Sequence, residues 1–113
     1  MSLERMLELL TSLGMPQKNA EVYLFIAANG PVQVRTLTNG MPIGKQQAYG
    51  RIRKLRKKGV VIALSTRPVV LSAVSFDQAI DILSKHKHES VQTLEDNREK
   101  ILSKWQSITT DKP

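Results

Sequence analysis

The chain has 113 residues, 41% of them hydrophobic, no Cys and a formal net charge of +7, which bounds it to one domain with at most an appended helix. The lack of Cys excludes disulfides, thiolate metal sites and a Cys nucleophile, and fits a reducing, cytoplasmic setting. No apolar run approaches the ~18 residues of a membrane span, and the first residues lack the basic and apolar regions of a signal peptide.

Leu3, Met6, Leu7, Leu10 and Leu13 fall at helical spacing over residues 2–13, with Gly14 as the stop. Ser2 stands at the N-cap position with Arg5 at N3, an incomplete capping box. Pro16 suits the first turn of a second helix. Ala20, Tyr23, Leu24 and Ala27 mark its inner face, Val22 and Ile26 broaden it, and Asn29-Gly30 followed by Pro31 closes it. Tyr23, flanked by aliphatics in mid-helix, reads as core. A short third helix is expected over residues 34–39, with Val34 and Leu37 inward. Asn39-Gly40 and Met41-Pro42 are the turn signals after it.

Next comes Gly44–Lys58, GKQQAYGRIRKLRKK, with seven Lys/Arg and no Asp or Glu. At 100° per residue, Ala48, Ile52 and Leu55 share one side with Tyr49 at its margin. Gln46, Gly50, Arg53, Lys54 and Lys57 lie roughly opposite. Alone, such a stretch is either a solvated cationic helix or one that lies in a nucleic-acid groove. Its position decides for the second: a short helix, a turn of about four residues and a basic helix have helix-turn-helix spacing. Gly59 ends the basic helix. Val60–Leu64 and Val69–Val74, rich in β-branched residues and separated by Ser65-Thr66-Arg67-Pro68, predict a hairpin in the place of a wing. If Val60, Ile62 and Leu64 point inward, Val61, Ala63 and Val70 point away. Cover by a terminal helix is expected there, an exposed apolar patch being the alternative.

Ser75 and Gln78 form a predicted capping box that opens a helix running to about Ile108. Phe76, Ala79, Ile80 and Leu83 are apolar at helical spacing. The pattern lapses over Ser84–Ser90. It resumes as Val91, Leu94, Arg98, Ile101, Trp105 and Ile108, the spacing of a coiled-coil seam widened by Leu102. About 33 helical residues span ~50 Å, more than the preceding 75 can cover. A second copy of the chain is the simplest partner; the alternative is a helix folded back on its own domain. The predicted fold class is therefore mainly α with a small β-hairpin (α+β). Residues 1–75 form a winged helix-turn-helix DNA-binding domain, 76–108 a dimerisation helix, and 109–113 a disordered tail.

In this order, Leu13-Gly14, Ala20-Glu21-Val22-Tyr23-Leu24, Gly30-Pro31, Ala48-Tyr49 with Ile52 and Leu55, and Lys58-Gly59-Val60-Val61 make the chain resemble the N-terminal part of the TrmB family of archaeal transcriptional regulators. The resemblance covers roughly residues 3–108, and related winged helices of the MarR and ArsR types share parts of it. It implies a homodimeric winged-helix repressor or activator, often sugar-responsive through a larger C-terminal domain. That domain has no counterpart here, so no small-molecule effector is carried over. The chain is then a minimal DNA-binding form or a fragment. Where the family tends to have Gly-Val-Pro then Arg or Ser, this chain has Pro42-Ile43-Gly44 then Lys45, which leaves the start of the basic helix open by one residue.

Charge agrees with this division. Residues 1–75 carry 11 Lys/Arg against 3 Asp/Glu, and residues 76–113 carry 6 against 7, a polyanion-binding front and a near-neutral tail. For a dimer on double-stranded DNA, Gln46 and Gln47 lie near the helix end that meets base edges, where an amide pairs with adenine. Arg53, Lys54 and Lys57 suit phosphates, and Lys45 suits either. Arg67 suits a minor groove or a phosphate. Gly50 either permits close approach to DNA or is a tolerated surface glycine. The other reading is a winged-helix protein-interaction module acting in a transcription or degradation complex, since fold does not fix function. RNA is a weaker reading because no aromatic platform accompanies the basic helix. An enzyme is not expected. His86 and His88 diverge by about 200° on a helix and share no metal. Asp77 and Asp81 are favoured near a helix N-terminus by the dipole. No phosphate loop or nucleophile–base pair is present.

Overall fold

A computed structural model describes residues 2–110. Four helices come first: α1 (Leu3–Ser12), α2 (Gln17–Asn29), α3 (Val34–Gly40) and α4 (Lys45–Lys58). A hairpin follows, β1 (Val61–Thr66) and β2 (Val69–Ala73), then α5 (Phe76–Asp96) and α6 (Arg98–Thr110). Ser2 caps α1 by accepting from the Arg5 amide at 3.2 Å. Ser75 and Gln78 complete the capping box of α5, with Gln78 N to Ser75 Oγ at 3.2 Å and Ser75 N to Gln78 Oε1 at 3.4 Å.

The core gathers around α2. Ala20, Val22, Tyr23, Leu24 and Ile26 are all buried, so this helix meets neighbours on several sides. Ala27 is the exception to the expected inner face and is exposed. Leu10 of α1, Leu37 of α3, Ala48, Ile52 and Leu55 of α4, and Ala79 and Leu83 of α5 close around it. At ~1.5–3 kcal/mol for each fully buried aliphatic, these side chains dominate the stability of the head.

The hairpin forms one end of this core. Val61 pairs with Ala73, Ile62 with Ser72 and Ala63 with Leu71. Val32 bridges Leu71 from the other side through Val32 N to Leu71 O at 2.9 Å and the reciprocal bond at 2.7 Å. The spatial order is therefore Val32, β2, β1. The strand faces differ from the sequence expectation. Val61 is buried and Ala63 half-buried, whereas Ile62 and Leu64 are 47% and 56% exposed. The reason lies just before the strand. Gly59, at φ 85°, ends α4 in the left-handed conformation, and the Val60 amide returns to Leu55 O at 3.1 Å. Val60 thus enters the core as part of the helix cap, and the alternation starts again at Val61. No helix among the described residues covers Ile62 and Leu64. The ladder also slips between Ala63 and Ser65, leaving Leu64 as a bulge residue.

The C-terminal helix is not one uninterrupted element. Asn97, at φ −109° and ψ 11°, separates α5 from α6. Its amide is shared between Thr93 O at 3.2 Å and Leu94 O at 3.3 Å, and its side-chain Nδ2 also donates to Thr93 O at 2.8 Å. That competing local bond is typical of Asn within a helix. Helical bonding resumes at once with Ile101 N to Asn97 O at 3.0 Å. Helix persists through Thr109 and Thr110, two residues into the expected disordered tail; the rest of that tail lies outside the described residues. No residue of α6 is buried, so this segment does not fold back on its own domain. The longest dimension of the molecule is 55 Å against 29 and 27 Å across.

Candidate nucleic-acid interface

The surface formed by α3, α4 and the hairpin carries a one-sided charge. Between Glu21 and Asp77 the sequence has no Asp or Glu, but it has Arg35, Lys45, Arg51, Arg53, Lys54, Arg56, Lys57, Lys58 and Arg67. The ion pairs among the described residues, Arg5–Glu8 at 3.5 Å and Arg98–Glu95 at 3.8 Å, lie elsewhere. A cationic surface without internal counter-charge is suited to an external polyanion.

Three contacts orient α4. Ala48, Ile52 and Leu55 anchor its inner edge. Arg51 Nη1 donates to Oδ1 of Asn19 at 3.0 Å, Asn19 being only 4% exposed. Gly59 fixes its exit. At the start, Gly44 is the N-cap and has no side-chain cap bond. The first-turn amides beside Lys45, Gln46 and Gln47 are therefore free of intrahelical partners.

Lys45, Gln46, Gln47, Arg53, Lys54, Lys57 and Arg67 are all exposed, but they do not form one patch. Lys45 lines a cleft of about 410 Å³ with Arg35, Thr38, Tyr49 and Pro68. Arg53, Arg56 and Lys57 line a second, of about 510 Å³, with Tyr49 and Val69. Both lie between α4 and the hairpin. Lys54 turns the other way, toward α5. Arg67 stands in the two-residue turn of the hairpin, beside Pro68, and the Arg67–Pro68 peptide is cis. A Cβ placed on Gly50 would meet nothing within 4 Å, so packing within the chain does not require glycine there.

Arg35, Tyr49 and Arg56 belong to this surface without standing out in the sequence. Tyr49, 44% exposed, is four residues from both Lys45 and Arg53 and seven from Arg56. That spacing puts all of them on one flank of a helix, and it is the available signal. Arg35 joins only because α3 packs on α4. Among the described residues no group of His, Cys, Asp and Glu is placed to hold a metal, and no helix is long and apolar enough to cross a membrane.

Comparison with known proteins agrees with this geometry. The family model described as "Sugar-specific transcriptional regulator TrmB" matches residues 9–77. The structure of TrmBL2, described as an archaeal chromatin protein with a novel mode of DNA binding, is similar at a TM-score of 0.73 and 19% identity. The match covers 96% of this chain and 42% of that one, so this chain spans less than half of its structural relative. The multiple antibiotic-resistance repressor MarR from Listeria monocytogenes 4b F2365 is similar at a TM-score of 0.56 and 17% identity, over 91% of this chain and 78% of that one. These likenesses establish the winged-helix fold. No curated protein matches the sequence.

Proposed function

The chain belongs to the TrmB family of transcriptional regulators, and on that premise we propose that it binds double-stranded DNA sequence-specifically as a homodimer. In this reading α4 enters the major groove and the hairpin lies beside it. The observation that carries the reading is the acid-free cationic surface of α3, α4 and the hairpin, which has no ion-pair partner among the described residues. Gln46 and Gln47, beside the uncapped N-terminus of α4, read base edges. Lys45, Arg53, Lys54 and Lys57 hold phosphates, and Arg67 reaches the backbone or minor groove at the wing tip. Gly50 leaves room for the duplex. Residues 1–75 serve as the DNA-binding unit. From residue 76 on the chain serves as the dimerisation element, with Val91, Leu94, Arg98, Ile101, Leu102, Trp105 and Ile108 along its seam. The family marks a regulator and not an enzyme.

Selection of duplexes from a random pool, followed by a salt titration of the selected site, tests this. A steep fall in affinity with salt is expected, with a site of two related half-sites. Gln46→Ala is expected to lose ~1–3 kcal/mol of discrimination at one base pair. Arg53→Ala should weaken all sequences alike and reduce the salt slope by about one. Uniform loss in both variants would mean that Gln46 does not read bases. No duplex binding at low salt would favour the protein-interaction module, for which the exposed Ile62 and Leu64 supply an apolar surface.

A further inference from the structure

The two clefts between α4 and the hairpin meet at one aromatic ring. Val34, Tyr49 and Val69 line both, so together they make one groove with an apolar middle. Arg35 and Lys45 stand at one end of it, and Arg53, Arg56 and Lys57 at the other. All five cations are exposed, and none has an ion-pair partner among the described residues. No Asp or Glu lines either cleft. Tyr49 is the most exposed aromatic of the head; Tyr23 is buried, and Phe25 and Phe76 are half-buried. At 100° per residue, Lys45, Tyr49 and Arg56 fall within about 40° of one another on α4. Gln46 and Gly50 lie further round, on the edge that faces out. Lys45 and Arg56 are ~16 Å apart along the helix axis, the reach of a few nucleotides.

We propose that this groove binds single-stranded DNA. One base stacks on Tyr49, and the flanking phosphates meet Arg35 and Lys45 at one end and Arg53 and Arg56 at the other. Cations with an aromatic ring between them match an unpaired strand: the charges track its backbone, and the ring takes a free base face. A duplex offers only base edges in its grooves, which suit the outward edge of α4 and leave the ring without a stacking partner. An acidic peptide would pair the cations but bring no base to the ring. The basic helix alone carries no aromatic platform in its sequence. The fold supplies one, because α3 and the hairpin set Val34 and Val69 beside Tyr49 and leave the ring between two sets of cations. The choice of DNA over RNA rests on the DNA-binding reading, since a strand freed from a duplex would lie at the same surface. Occupancy of the groove by a single strand does not rest on it.

Fluorescence anisotropy of a labelled oligothymidylate of about ten nucleotides, titrated with the full chain at low salt, reads the groove. Its affinity is expected to exceed that of an abasic strand of the same length about tenfold, since both carry the same phosphates and only one carries bases. Tyr49→Ala should bring the two strands level, and Tyr49→Phe should keep the difference. Arg35→Ala should weaken both strands alike. Irradiation of a strand carrying 5-iododeoxyuridine should cross-link Tyr49 and not Trp105, the exposed aromatic of α6. Equal binding of the thymidylate and abasic strands by the parent chain overturns the proposal, whether or not the alanine variant folds. Loss of the difference in Tyr49→Phe overturns it as well, as does a cross-link confined to Trp105. An oligouridylate bound about tenfold tighter than the thymidylate overturns the assignment to DNA. A chain that separates the two strands in this way but binds no duplex refutes the regulator reading and leaves the groove as assigned. One that binds a selected duplex without separating them loses only the groove.

Discussion

Tyr23 ties the centre of the head to its exit. The phenol is buried in α2 and donates to the Val74 carbonyl at 2.6 Å, just before α5 begins. Desolvation by burial raises its pKa from 10.0 to about 12. The folded chain therefore keeps this proton at pH values where the unfolded chain has released it. The associated stability is fully present below pH 10 and lost as pH rises toward 12. Tyr23→Phe leaves the Val74 carbonyl without its partner and is expected to cost ~1–3 kcal/mol at neutral pH. Denaturation curves should then show a smaller alkaline loss in the variant than in the parent, and identical alkaline limbs would exclude Tyr23 as its source. Gly50 makes the opposite case. Since a Cβ there meets nothing within 4 Å, Gly50→Ala is expected to raise stability by ~0.5–1 kcal/mol through helix propensity while lowering duplex affinity. Higher stability with unchanged affinity would show that the glycine is not there for DNA. Tyr23 was legible as core from its aliphatic flanks. Its partner was not, because a contact across 51 residues leaves no local periodicity. Arg51 was equally hidden. In a run of cations nothing distinguishes the one that turns inward to Asn19.

At the scale of elements, helices were the most legible part, since their apolar residues recur in register with the backbone. Both capping positions, Ser2 and Ser75, lie where the side-chain chemistry requires them. The hairpin was legible in existence and misread in orientation. Alternation along a strand fixes its two faces but not which is inward. That choice was made by Gly59 and Val60, which belong to the preceding helix cap. Gly59→Ala should thus do more than fray α4. With φ at 85°, the added Cβ costs ~1–2 kcal/mol, and the strain falls on the joint that sets the hairpin. Thermal melting together with amide exchange in β1 would check this. A loss confined to α4, with β1 unaffected, would mean that the cap does not govern the strand.

For the whole molecule, the dominant fact is the distal half of the C-terminal helical segment, from Val91 on, which carries one apolar edge and buries no residue. Val91, Leu94, Ile101, Leu102, Trp105 and Ile108 are each roughly half to two-thirds exposed. The apolar edge was legible because its spacing is carried by a few large side chains. The irregularity at Asn97 was not, because Asn is common on polar helix faces and only its bond to Thr93 reveals the interruption. Replacing Leu94 and Ile101 by Asp is expected to yield a folded monomer of about half the parent's mass in solution, by placing charges in a desolvated seam. Duplex affinity should drop with it, because two half-sites would no longer be held by one particle. A parent that is already monomeric at micromolar concentration would contradict the dimer.

The bulge at Leu64 bears on how the open edge of the hairpin is kept from pairing with other chains. β1 is the outer strand of the sheet, carries Ile62 and Leu64 on its open face, and has no strand beyond it among the described residues. A flat, apolar edge of that kind templates pairing with other chains. The slip between Ala63 and Ser65 interrupts the regular row of donors and acceptors and adds twist. Straightening β1 by deleting one residue at the bulge would therefore present a regular edge for sheet extension, and aggregation would be the first consequence, ahead of any change in DNA affinity.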